Sequence, residues 1–340
     1  MILAYPGNIV TFDAPGAGTG FRQGTTATGI NAAGAITGYY VDSANFSHGF
    51  VRSPGGEFTE FDAGGSTETL ANGINDAGAV TGYYIDTYGL PHGFVRSPSG
   101  VVTTFDAPPA SSSGTCAFAI NNAGAIAGFY FEDAVAYSFL RSPSGAFTTF
   151  GVPRAGGAGL NGTRANSINN SNAVAGSWTY SDVYTIPNHV FLRTPQGFIE
   201  SFSAPGAGSG EFQGTLQYGL NDAGAVTGTY IDAKGATYGF VRSSSGGVFT
   251  TIIVPGDAAA SALPLSIDDA GAITGSFSVP AGVSHGFVRS PSGVFTPFDV
   301  PGAGGAAYTG TFPGSINQAG GIAGYFIDAN STNHGFLRTP

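Results

Sequence analysis

Short runs of alternating apolar and polar residues, separated by turns rich in glycine, proline and asparagine, follow one another along the whole chain. Such alternation predicts half-buried β-strands. The clearest run begins with the phrase Gly-Ile-Asn-x-Ala-Gly-Ala-Ile-x-Gly. Its seven copies are anchored at Ile30, Ile74, Ile120, Ile168, Leu220, Ile267 and Ile316. The mean spacing, (316 − 30)/6, is about 48 residues. This is the length of four short strands with their turns, which is typical of one blade of a β-propeller.

Four strands can be assigned within each repeat, and the first repeat shows them clearly. Strand A covers 25–31 and strand B covers 35–42, with a tight turn between them. Strand C covers 48–53 and strand D covers 57–62. The turn between C and D has Pro54 at its second position, where type I turns favour proline. A segment rich in proline, glycine and alanine then leads to the next repeat.

The two ends of the chain complement each other. The seventh repeat stops after strand C, and residues 6–16 match the phrase of strand D. We therefore expect the N-terminal strand to complete the last blade, giving an all-β, seven-bladed β-propeller with four antiparallel strands per blade. One propeller would occupy 1–340. The expected blades are 17–62, 63–107, 108–152, 153–204, 205–254, 255–300, and 301–340 together with 1–16.

Composition limits the partners. The net charge is −10 and only 9% of the residues are charged, which argues against nucleic acid or an anionic membrane as a partner. No run of 18 apolar residues occurs, so no transmembrane segment is predicted. We expect no secretory leader within this sequence, so that the signal of an exported protein would already have been removed. We expect a monomer without a cofactor or a metal, and we expect the single cysteine, Cys116, to be a small buried apolar residue.

All five histidines fall at one position of strand C. Most of them face an acid of strand D, fourteen residues later, and an acid of strand B, six residues earlier. We interpret these rows as charge-assisted hydrogen bonds that hold the outer strands together. The predicted rows are His48 with Asp42 and Asp62, His92 with Asp86 and Asp106, His285 with Asp299, and His334 with Asp13 and Asp328; His189 faces Ser203 instead. The alternative is a metal or acid–base site, but four copies at the periphery of a ring favour a structural role.

Two further positions recur in every repeat. Seven of the eleven basic residues close strand C, beginning with Arg52, and we expect each to lie opposite the glycine in the middle of strand B, such as Gly38. We expect the aromatic residue that follows, such as Tyr40, to face the phenylalanine of strand C. Trp178, the only tryptophan, holds this aromatic position and is therefore predicted to be part of the core.

The phrases Ala-x-x-Ile-Asn-x-Ala-Gly-x-Val/Ile-x-Gly and His-Gly-Phe-Val/Leu-Arg resemble the bacterial HAF extracellular repeats, whose typical form is INxxGxVVG followed by HAFLW. The resemblance covers the whole chain. This chain differs in having glycine after the histidine and arginine at the end of the second phrase. The resemblance implies an exported bacterial repeat protein, secreted or extracytoplasmic, with a propeller-like fold. It implies no reaction and supplies no catalytic residue.

Residues that break the repeat are the candidates for function. The segments that join strand D to strand A, and strand B to strand C, vary most, and propeller ligands usually bind on the face that they form. The charges that break the pattern there are Arg22, Glu68, Asp133, Arg154, Asp182, Glu211, Lys234 and Asp257. Arg164 stands in a strand A position that other repeats fill with Thr26, Leu70, Cys116, Leu216, Leu263 and Phe312. The candidate ligand-binding residues are Arg22, Glu68, Arg164, Glu211 and Tyr218.

Two classes of function follow from these candidates. The first is a binding or interaction propeller for a glycan or another neutral surface polymer, in which several weak sites add up. The alternative is a polysaccharide lyase or hydrolase with one site at the mouth of the central channel. A lyase needs a cation and a base, which Arg164 and Tyr218 could supply. A passive scaffold is a third option, and the sequence assigns no catalytic residue.

Overall fold

The computed structural model describes residues 7–66, 68–108, 114–153, 162–179, 188–256, 261–280 and 282–340. Within these ranges the protein is all-β, with 28 strands. The described part of the chain contains no helix whose length and apolar character would let it cross a membrane.

The strands are four to seven residues long. In chain order they are β1 (Asn8–Phe12), β2 (Gly24–Ile30), β3 (Ile36–Val41), β4 (Ser47–Arg52), β5 (Phe58–Phe61), β6 (Glu68–Ile74), β7 (Val80–Ile85), β8 (Pro91–Arg96), β9 (Val102–Phe105), β10 (Thr115–Ile120), β11 (Ile126–Glu132), β12 (Val135–Arg141), β13 (Phe147–Phe150), β14 (Gly162–Ile168), β15 (Val174–Thr179), β16 (Asn188–Arg193), β17 (Ile199–Phe202), β18 (Gly214–Leu220), β19 (Val226–Ile231), β20 (Thr237–Arg242), β21 (Phe249–Ile252), β22 (Ser261–Ile267), β23 (Ile273–Ser278), β24 (Ser284–Arg289), β25 (Phe295–Phe298), β26 (Gly310–Ile316), β27 (Ile322–Ile327) and β28 (Asn333–Thr339).

Consecutive strands pair antiparallel into four-stranded units, which we number along the chain. Over the described residues, units 1 to 6 are β2–β5, β6–β9, β10–β13, β14–β17, β18–β21 and β22–β25, and unit 7 is β26–β28 together with β1. In unit 7, β1 pairs with β28 from Asn8 opposite Thr339 to Phe12 opposite Gly335. The five residues of β1 therefore lie against the last five residues of β28.

Neighbouring units are joined where strand A of one unit begins beside strand C of the unit before. Gly24 of unit 1 lies beside Asn333 of unit 7, and Gly310 of unit 7 lies beside Ser284 of unit 6, in parallel bridges. These bridges connect the strands into two sheets, one of 16 strands through units 6, 7, 1 and 2, and one of 12 strands through units 3, 4 and 5.

The turns follow from local chemistry. At each turn from strand A to strand B an asparagine or aspartate side chain accepts a hydrogen bond from the main chain four residues later, as Asn31 does from Ala35 at 2.9 Å. In the next tight turn Gly56 has φ +101° and donates to the carbonyl of Ser53 at 3.0 Å. The predicted strands of the first repeat agree with β2 to β5 to within one residue at each end.

The core lies between the units. The phenylalanine of strand C is completely buried in every unit: Phe50, Phe94, Phe139, Phe191, Phe240, Phe287 and Phe336. Each of these rings packs in a cluster that also contains residues of a neighbouring unit, as Phe50 does with Ala323 and Ala14. Cys116 and Trp178 are both buried, as the sequence predicts.

Two predicted contacts are wrong. Gly38 lies opposite Phe50, and Arg52 lies opposite Ile36. The glycine is needed because a Cβ at this position would lie 2.1 Å from the carbonyl oxygen of Thr26, where strand A bulges. Tyr40 does not face the phenylalanine either, because it pairs with His48 and stacks on its ring at 5.0 Å.

The repeated arginines instead join neighbouring units. The guanidinium of Arg141 lies 4.7 Å from the centre of the Phe105 ring, which belongs to strand D of the preceding unit. Such a contact between a cation and an aromatic face is attractive. The equivalent pairs are Arg52 with Phe12, Arg96 with Phe61, Arg193 with Phe150, Arg242 with Phe202 and Arg338 with Phe298.

Candidate functional site

The units present two opposite faces. The segments from strand D to strand A and the loops from strand B to strand C lie at one end of the strands, which we call the crossing face. The turns from A to B and from C to D lie at the other end, which we call the turn face. The variable segments named from the sequence are thus on the crossing face.

Three segments of the crossing face, 15–24, 205–214 and 301–310, share one sequence frame, Pro-Gly-Ala-Gly followed by five residues and a glycine. We call them the crossing loops. In each, the eighth residue has a left-handed backbone, with φ of 61° at Arg22, 58° at Phe212 and 66° at Tyr308. Residues other than glycine adopt this conformation at a cost of roughly 1–2 kcal/mol. The conformation must therefore be held by its surroundings.

Hydrogen bonds hold the crossing loops in one shape. In the first loop Ala17 donates to the carbonyl of Ala14 at 3.0 Å, Gly18 donates to Val41 at 2.9 Å, and Gln23 donates to Gly20 at 3.0 Å. The same three bonds recur in the other two loops at 2.8–3.1 Å. Gln23 also accepts from the main chain of Gly20 through its side chain, at 2.9 Å. The loops are thus rigid platforms.

Each platform presents an aromatic ring to solvent. Phe21 is 69% exposed, Phe212 is 73% exposed and Tyr308 is 87% exposed. Arg22 and Glu211, both predicted ligand contacts, are exposed beside the first two rings, and the guanidinium of Arg22 lies 5.2 Å from the ring of Phe21. Sequence reasoning selected these charges and missed the rings next to them.

Glu68 lies apart from these loops. It is the first residue of β6, is exposed, and lies beside Ser47 of unit 1 at the crossing face. Asp133 and Lys234 are exposed in the B to C loops of units 3 and 5. Arg154, Asp182 and Asp257 lie outside the described residues.

Arg164 and Tyr218 belong to the inner strands of units 4 and 5. Arg164 is half-buried in β14, 5.6 Å from the centre of the Phe129 ring, and burial lowers the pKa of its guanidinium. Tyr218 is the bulged residue of β18, and its carbonyl accepts from Ser167 at 3.3 Å. Gln217, which precedes Tyr218 in β18, is completely buried in a position that other units fill with alanine or proline, and its side-chain oxygen has no partner among the described residues. Sequence reasoning missed Gln217, although a polar residue in a buried apolar position was the available signal.

The structure brings the predicted histidine rows together. On the side of strand D, Nδ1 of the histidine lies 2.8–3.0 Å from a carboxylate oxygen. The pairs are His48 with Asp62, His92 with Asp106, His285 with Asp299, and His334 with Asp13. On the side of strand B, Nε2 of the histidine lies near a second carboxylate. The distance is 3.3 Å from His92 to Asp86, 3.6 Å from His48 to Asp42, and 3.7 Å from His334 to Asp328. His189 reaches Ser203 at 2.8 Å. Within the described residues no group of three or more His, Cys, Asp or Glu side chains is arranged to hold a metal ion.

The environments of His92 and His189 shift their pKa values in opposite directions. Burial lowers the pKa of His92, but the hydrogen bonds and charges of Asp106 and Asp86 outweigh it, so that the pKa is raised above its ordinary value. The pKa of Asp86 is lowered by the main-chain N–H of Leu90 and by His92. At His189, which has no such acids, burial lowers the pKa.

The centre of the turn face carries an inner circle of side chains, one from each unit: Asn31, Asn75, Asn121, Asn169, Asn221, Asp268 and Asn317. Each asparagine amide donates to the main-chain carbonyl of the circle residue in the next unit, at 2.9–3.1 Å. The amide of Asn317 donates to the carbonyl of Asn31 at 2.9 Å. Asp268 is the one member without an amide.

An outer circle surrounds the inner one. It consists of the next residue of each unit: Ala32, Asp76, Asn122, Asn170, Asp222, Asp269 and Gln318. Here the side-chain oxygen of one unit accepts from the main-chain N–H of the preceding unit, at 2.7–3.1 Å. The second oxygens of Asp76 and Asp222 accept from the amides of Asn122 and Asn170.

A cavity of about 440 Å³, which we call the axial cavity, is lined by the outer circle and by five members of the inner circle, all except Asn75 and Asp268. Its lining also includes seven aliphatic residues, although most of the lining surface is polar: Ile30, Ile74, Ile120, Ile168, Leu220, Ile267 and Ile316. The size lies within the usual range for small-ligand pockets. The sequence did not reveal this cavity, because it is built from residues that recur in every repeat. The available signal was the outer circle, whose position holds alanine, an amide or a carboxylate in different units.

No protein-family model matches this chain. No curated protein matches it. Solved structures do match. The β-propeller domain of the Trilobed protease from Pyrococcus furiosus superposes with a TM-score of 0.63 at 9% sequence identity, covering 92% of this chain and 95% of that one. At these identities the likeness shows the fold alone, so the chain has a β-propeller fold.

Two peptidases match over part of their length. The acylaminoacyl peptidase of Pyrococcus horikoshii gives a TM-score of 0.55 at 9% identity, over 89% of this chain and 49% of that one. A prolyl endopeptidase gives 0.52 at 12% identity, over 87% of this chain and 45% of that one. This chain therefore spans about half the length of these two proteins.

Proposed function

We propose that this chain is a closed, seven-bladed β-propeller that acts as an extracytoplasmic binding module for a neutral glycan. The seven repeats, the seven four-stranded units and the pairing of β1 with β28 support a closed ring. The resemblance to exported HAF repeats supports the location.

The observation that carries the binding function is the set of crossing loops. Three rigid loops of the same shape hold Phe21, Phe212 and Tyr308 in solvent at 69–87% exposure. An aromatic face left in water by a preorganised loop is suited to stacking against a flat apolar surface. Because the loops are held in shape before binding, little conformational entropy is lost when a ligand stacks.

The surroundings of the rings favour a sugar over a protein partner. Each ring projects alone from a loop of glycine, alanine and small polar residues, whereas the centre of a protein interface is a contiguous apolar patch. The apolar face of a pyranose ring fits a single aromatic ring, and its hydroxyls can bond to the loop amides. The net charge of −10 disfavours an acidic polymer. Rings on different units would bind one polymer chain at several points, so weak sites combine.

The test is a screen of neutral oligosaccharides on a glycan array, followed by titration calorimetry with the best ligand. The variants are Phe21→Ala, Phe212→Ala, Tyr308→Ala and the triple variant. We expect more than one equivalent of ligand per chain, a loss of one site or a weaker affinity in each single variant, and at least tenfold weaker binding in the triple variant.

The matched control is Phe198→Ala, which removes a ring that is 77% exposed on the turn face. This variant should bind like the wild type. Wild-type binding by the triple variant, or no binding of any neutral glycan by the folded protein, would overturn the proposal. Shortened or unsaturated products would favour the polysaccharide-active enzyme instead.

A further inference from the structure

The histidine row of unit 6 lacks its second acid. In units 1, 2 and 7 the residue that follows strand B is an aspartate, and Nε2 of the histidine lies 3.3–3.7 Å from it. In unit 6 this residue is Val279. His285 keeps its partner on strand D, since Nδ1 lies 2.9 Å from Asp299, but its Nε2 has no hydrogen-bond partner among the described residues.

The bond to Asp299 fixes the chemical role of the His285 ring. A carboxylate only accepts hydrogen bonds, so Nδ1 of the neutral imidazole must carry the ring proton. Nε2 then has a free lone pair and is an acceptor. The ring is also held by stacking on Phe277, with the ring centres 5.1 Å apart. His285 therefore presents a fixed acceptor that the described part of the chain does not use.

This acceptor faces a pocket of about 300 Å³, which we call the unit 6 pocket. His285 and Val279 both line it, and most of its lining surface is apolar. The His285 ring bonds and stacks as the ring of His48 does, whose Nε2 points at Asp42. Because Val279 occupies the position of Asp42, Nε2 of His285 points into the pocket. The size is at the lower end of the usual range for small-ligand pockets.

The unit 6 pocket lacks polar groups that are present at the same place in unit 1. There the hydroxyl of Tyr40 forms a hydrogen bond with Glu60. The equivalent residues of unit 6 are Phe277, which has no hydroxyl, and Pro297, which has no side-chain acceptor. The substitutions that set unit 6 apart thus all make this place apolar.

The same substitutions leave open space. In unit 1 a Cβ added to Gly16 would lie 2.7 Å from the hydroxyl oxygen of Tyr40, so the tyrosine fills the space beside that glycine. Gly256 holds the equivalent position in unit 6 and lines the pocket. No heavy atom of another described residue lies within 4 Å of a Cβ added there, apart from its neighbours in the chain.

The walls of the pocket suit a flat, uncharged ring. Phe277 and Phe295 line it with their ring centres 5.7 Å apart, together with Pro255 and Pro297. Aromatic rings pack well against such faces. No Lys, Arg, Asp or Glu is among the described lining residues, so a charged ligand would be buried without a counter-ion. A ligand that fits combines one aromatic ring with one neutral donor for Nε2, and a phenol has both.

We propose that the unit 6 pocket binds a small phenol, whose ring packs against Phe277 and Phe295 and whose hydroxyl donates to Nε2 of His285. None of the residues that line the pocket belongs to the three crossing loops. The site is therefore separate from the proposed glycan site.

The test is titration of the full chain with 4-methylphenol at pH 8, at which a free imidazole is neutral and a phenol keeps its proton. Toluene, which has nearly the same shape but no hydroxyl, is the matched ligand. Saturable binding of one equivalent of 4-methylphenol is expected, tighter than that of toluene, because toluene leaves Nε2 without a partner. Calorimetry or NMR chemical-shift changes measure both affinities. No saturable binding of 4-methylphenol would overturn the proposal.

Variants locate the site. Val279→Asp gives unit 6 the acid that unit 1 has in Asp42, so it should keep the fold, occupy Nε2 and abolish phenol binding. His285→Phe keeps a ring but removes the acceptor, so the preference for 4-methylphenol over toluene should fall about tenfold. His48→Phe makes the same change in unit 1 and should bind 4-methylphenol like the wild type.

A last comparison separates the pocket from the exposed rings of the crossing loops. The triple variant Phe21→Ala, Phe212→Ala, Tyr308→Ala should still bind 4-methylphenol, whereas Val279→Asp and His285→Phe should still bind glycan. Undiminished phenol binding by Val279→Asp, an unchanged preference in His285→Phe, or loss of phenol binding in the triple variant would overturn the proposal.

Discussion

The imidazole Nδ1 of His334 lies 3.0 Å from a carboxylate oxygen of Asp13, although 321 positions separate the two residues in the chain. Asp13 directly follows β1, and His334 belongs to β28, so this pair joins the first and the last strand of the described residues. The equivalent pair in unit 1, His48 with Asp62, joins two strands that a tight turn already connects. The same contact therefore has a different consequence in unit 7, where no turn connects β1 to its partner.

Asp13→Ala is expected to loosen β1 locally. Loss of a partly exposed ion pair costs about 0.2–1 kcal/mol, which raises the population of an open state up to about fivefold. Because β1 has no turn to hold it near β28, that change should appear as faster hydrogen exchange of the main-chain amides of β1. Hydrogen exchange followed by mass spectrometry or NMR measures it.

The matched control is Asp62→Ala, which removes the same contact from unit 1. In that variant β5 remains connected to β4 by the turn at 53–56, so its exchange should change less than that of β1. Equal acceleration of β5 and β1 in the two variants would contradict the view that this contact is specifically important where the chain ends meet.

The titration of His92 and His189 should differ in direction. The pKa of His92 is raised by Asp106 and Asp86 despite partial burial, whereas burial lowers the pKa of His189. An NMR pH titration of the ring protons should therefore give a midpoint above 6.5 for His92 and below 6.5 for His189. In Asp106→Asn the midpoint of His92 should fall. Identical midpoints for the two histidines would refute the assignment.

These shifts also set the pH dependence of stability. Because the folded pKa of His92 is raised, its stabilising contribution is complete below the unfolded pKa of about 6.5 and is lost as the pH rises through the folded value. His189 acts in the opposite sense, since its lowered pKa makes the folded state less stable as the pH falls below about 6.5. Chemical denaturation of His92→Gln and His189→Gln across this range should show stability differences that change in opposite directions with pH.

Arginine stacking should couple neighbouring units. The guanidinium of Arg141 lies 4.7 Å from the centre of the Phe105 ring across the boundary between units 3 and 2. A double-mutant cycle of Arg141→Met and Phe105→Leu is expected to give a coupling free energy of about 0.5–2 kcal/mol. Urea denaturation of the four proteins measures it.

The chain offers a control for this cycle. Arg289 belongs to unit 6. Strand D of the preceding unit carries Ile252 in the position where the other units carry phenylalanine. A cycle of Arg289→Met and Ile252→Leu removes no aromatic face, so its coupling should be close to zero. A coupling as large as that of Arg141 and Phe105 would show that packing, not the interaction with the ring, joins the units.

The repeat predicts much of this fold, because a pattern that recurs seven times averages out local exceptions. It places the strands of the first unit to within one residue and selects the partners of His48 and His92. It does not reveal the register of β3 and β4, because the loop at 42–46 sets it through the left-handed backbone of Asn45. For this reason the register of β3 and β4 predicted from the sequence is wrong by two residues.

The proposed binding surface and the axial cavity were harder to predict. The charge of Arg22 identifies a segment on the crossing face, but a phenylalanine such as Phe21 reads the same in sequence whether it is buried or exposed. Only the loop hydrogen bonds show that its ring is held in solvent. The inner circle was missed for the opposite reason, because a residue repeated in every unit looks structural.

Glycine in the middle of strand B is expected to be indispensable because of close main-chain contact. A Cβ on Gly38 would lie 2.1 Å from the carbonyl oxygen of Thr26 and 2.9 Å from Cα of Ala27, distances at which the backbone itself must move. Gly38→Ala should therefore cost about 3 kcal/mol or more. Gly305→Ala is the control, since no heavy atom lies within 4 Å of its added Cβ, and its stability should change by less than about 0.5 kcal/mol. Urea denaturation of both variants decides the matter: a Gly38→Ala protein as stable as Gly305→Ala would show that the bulged strand A can move away, and that the glycine is not required by this contact.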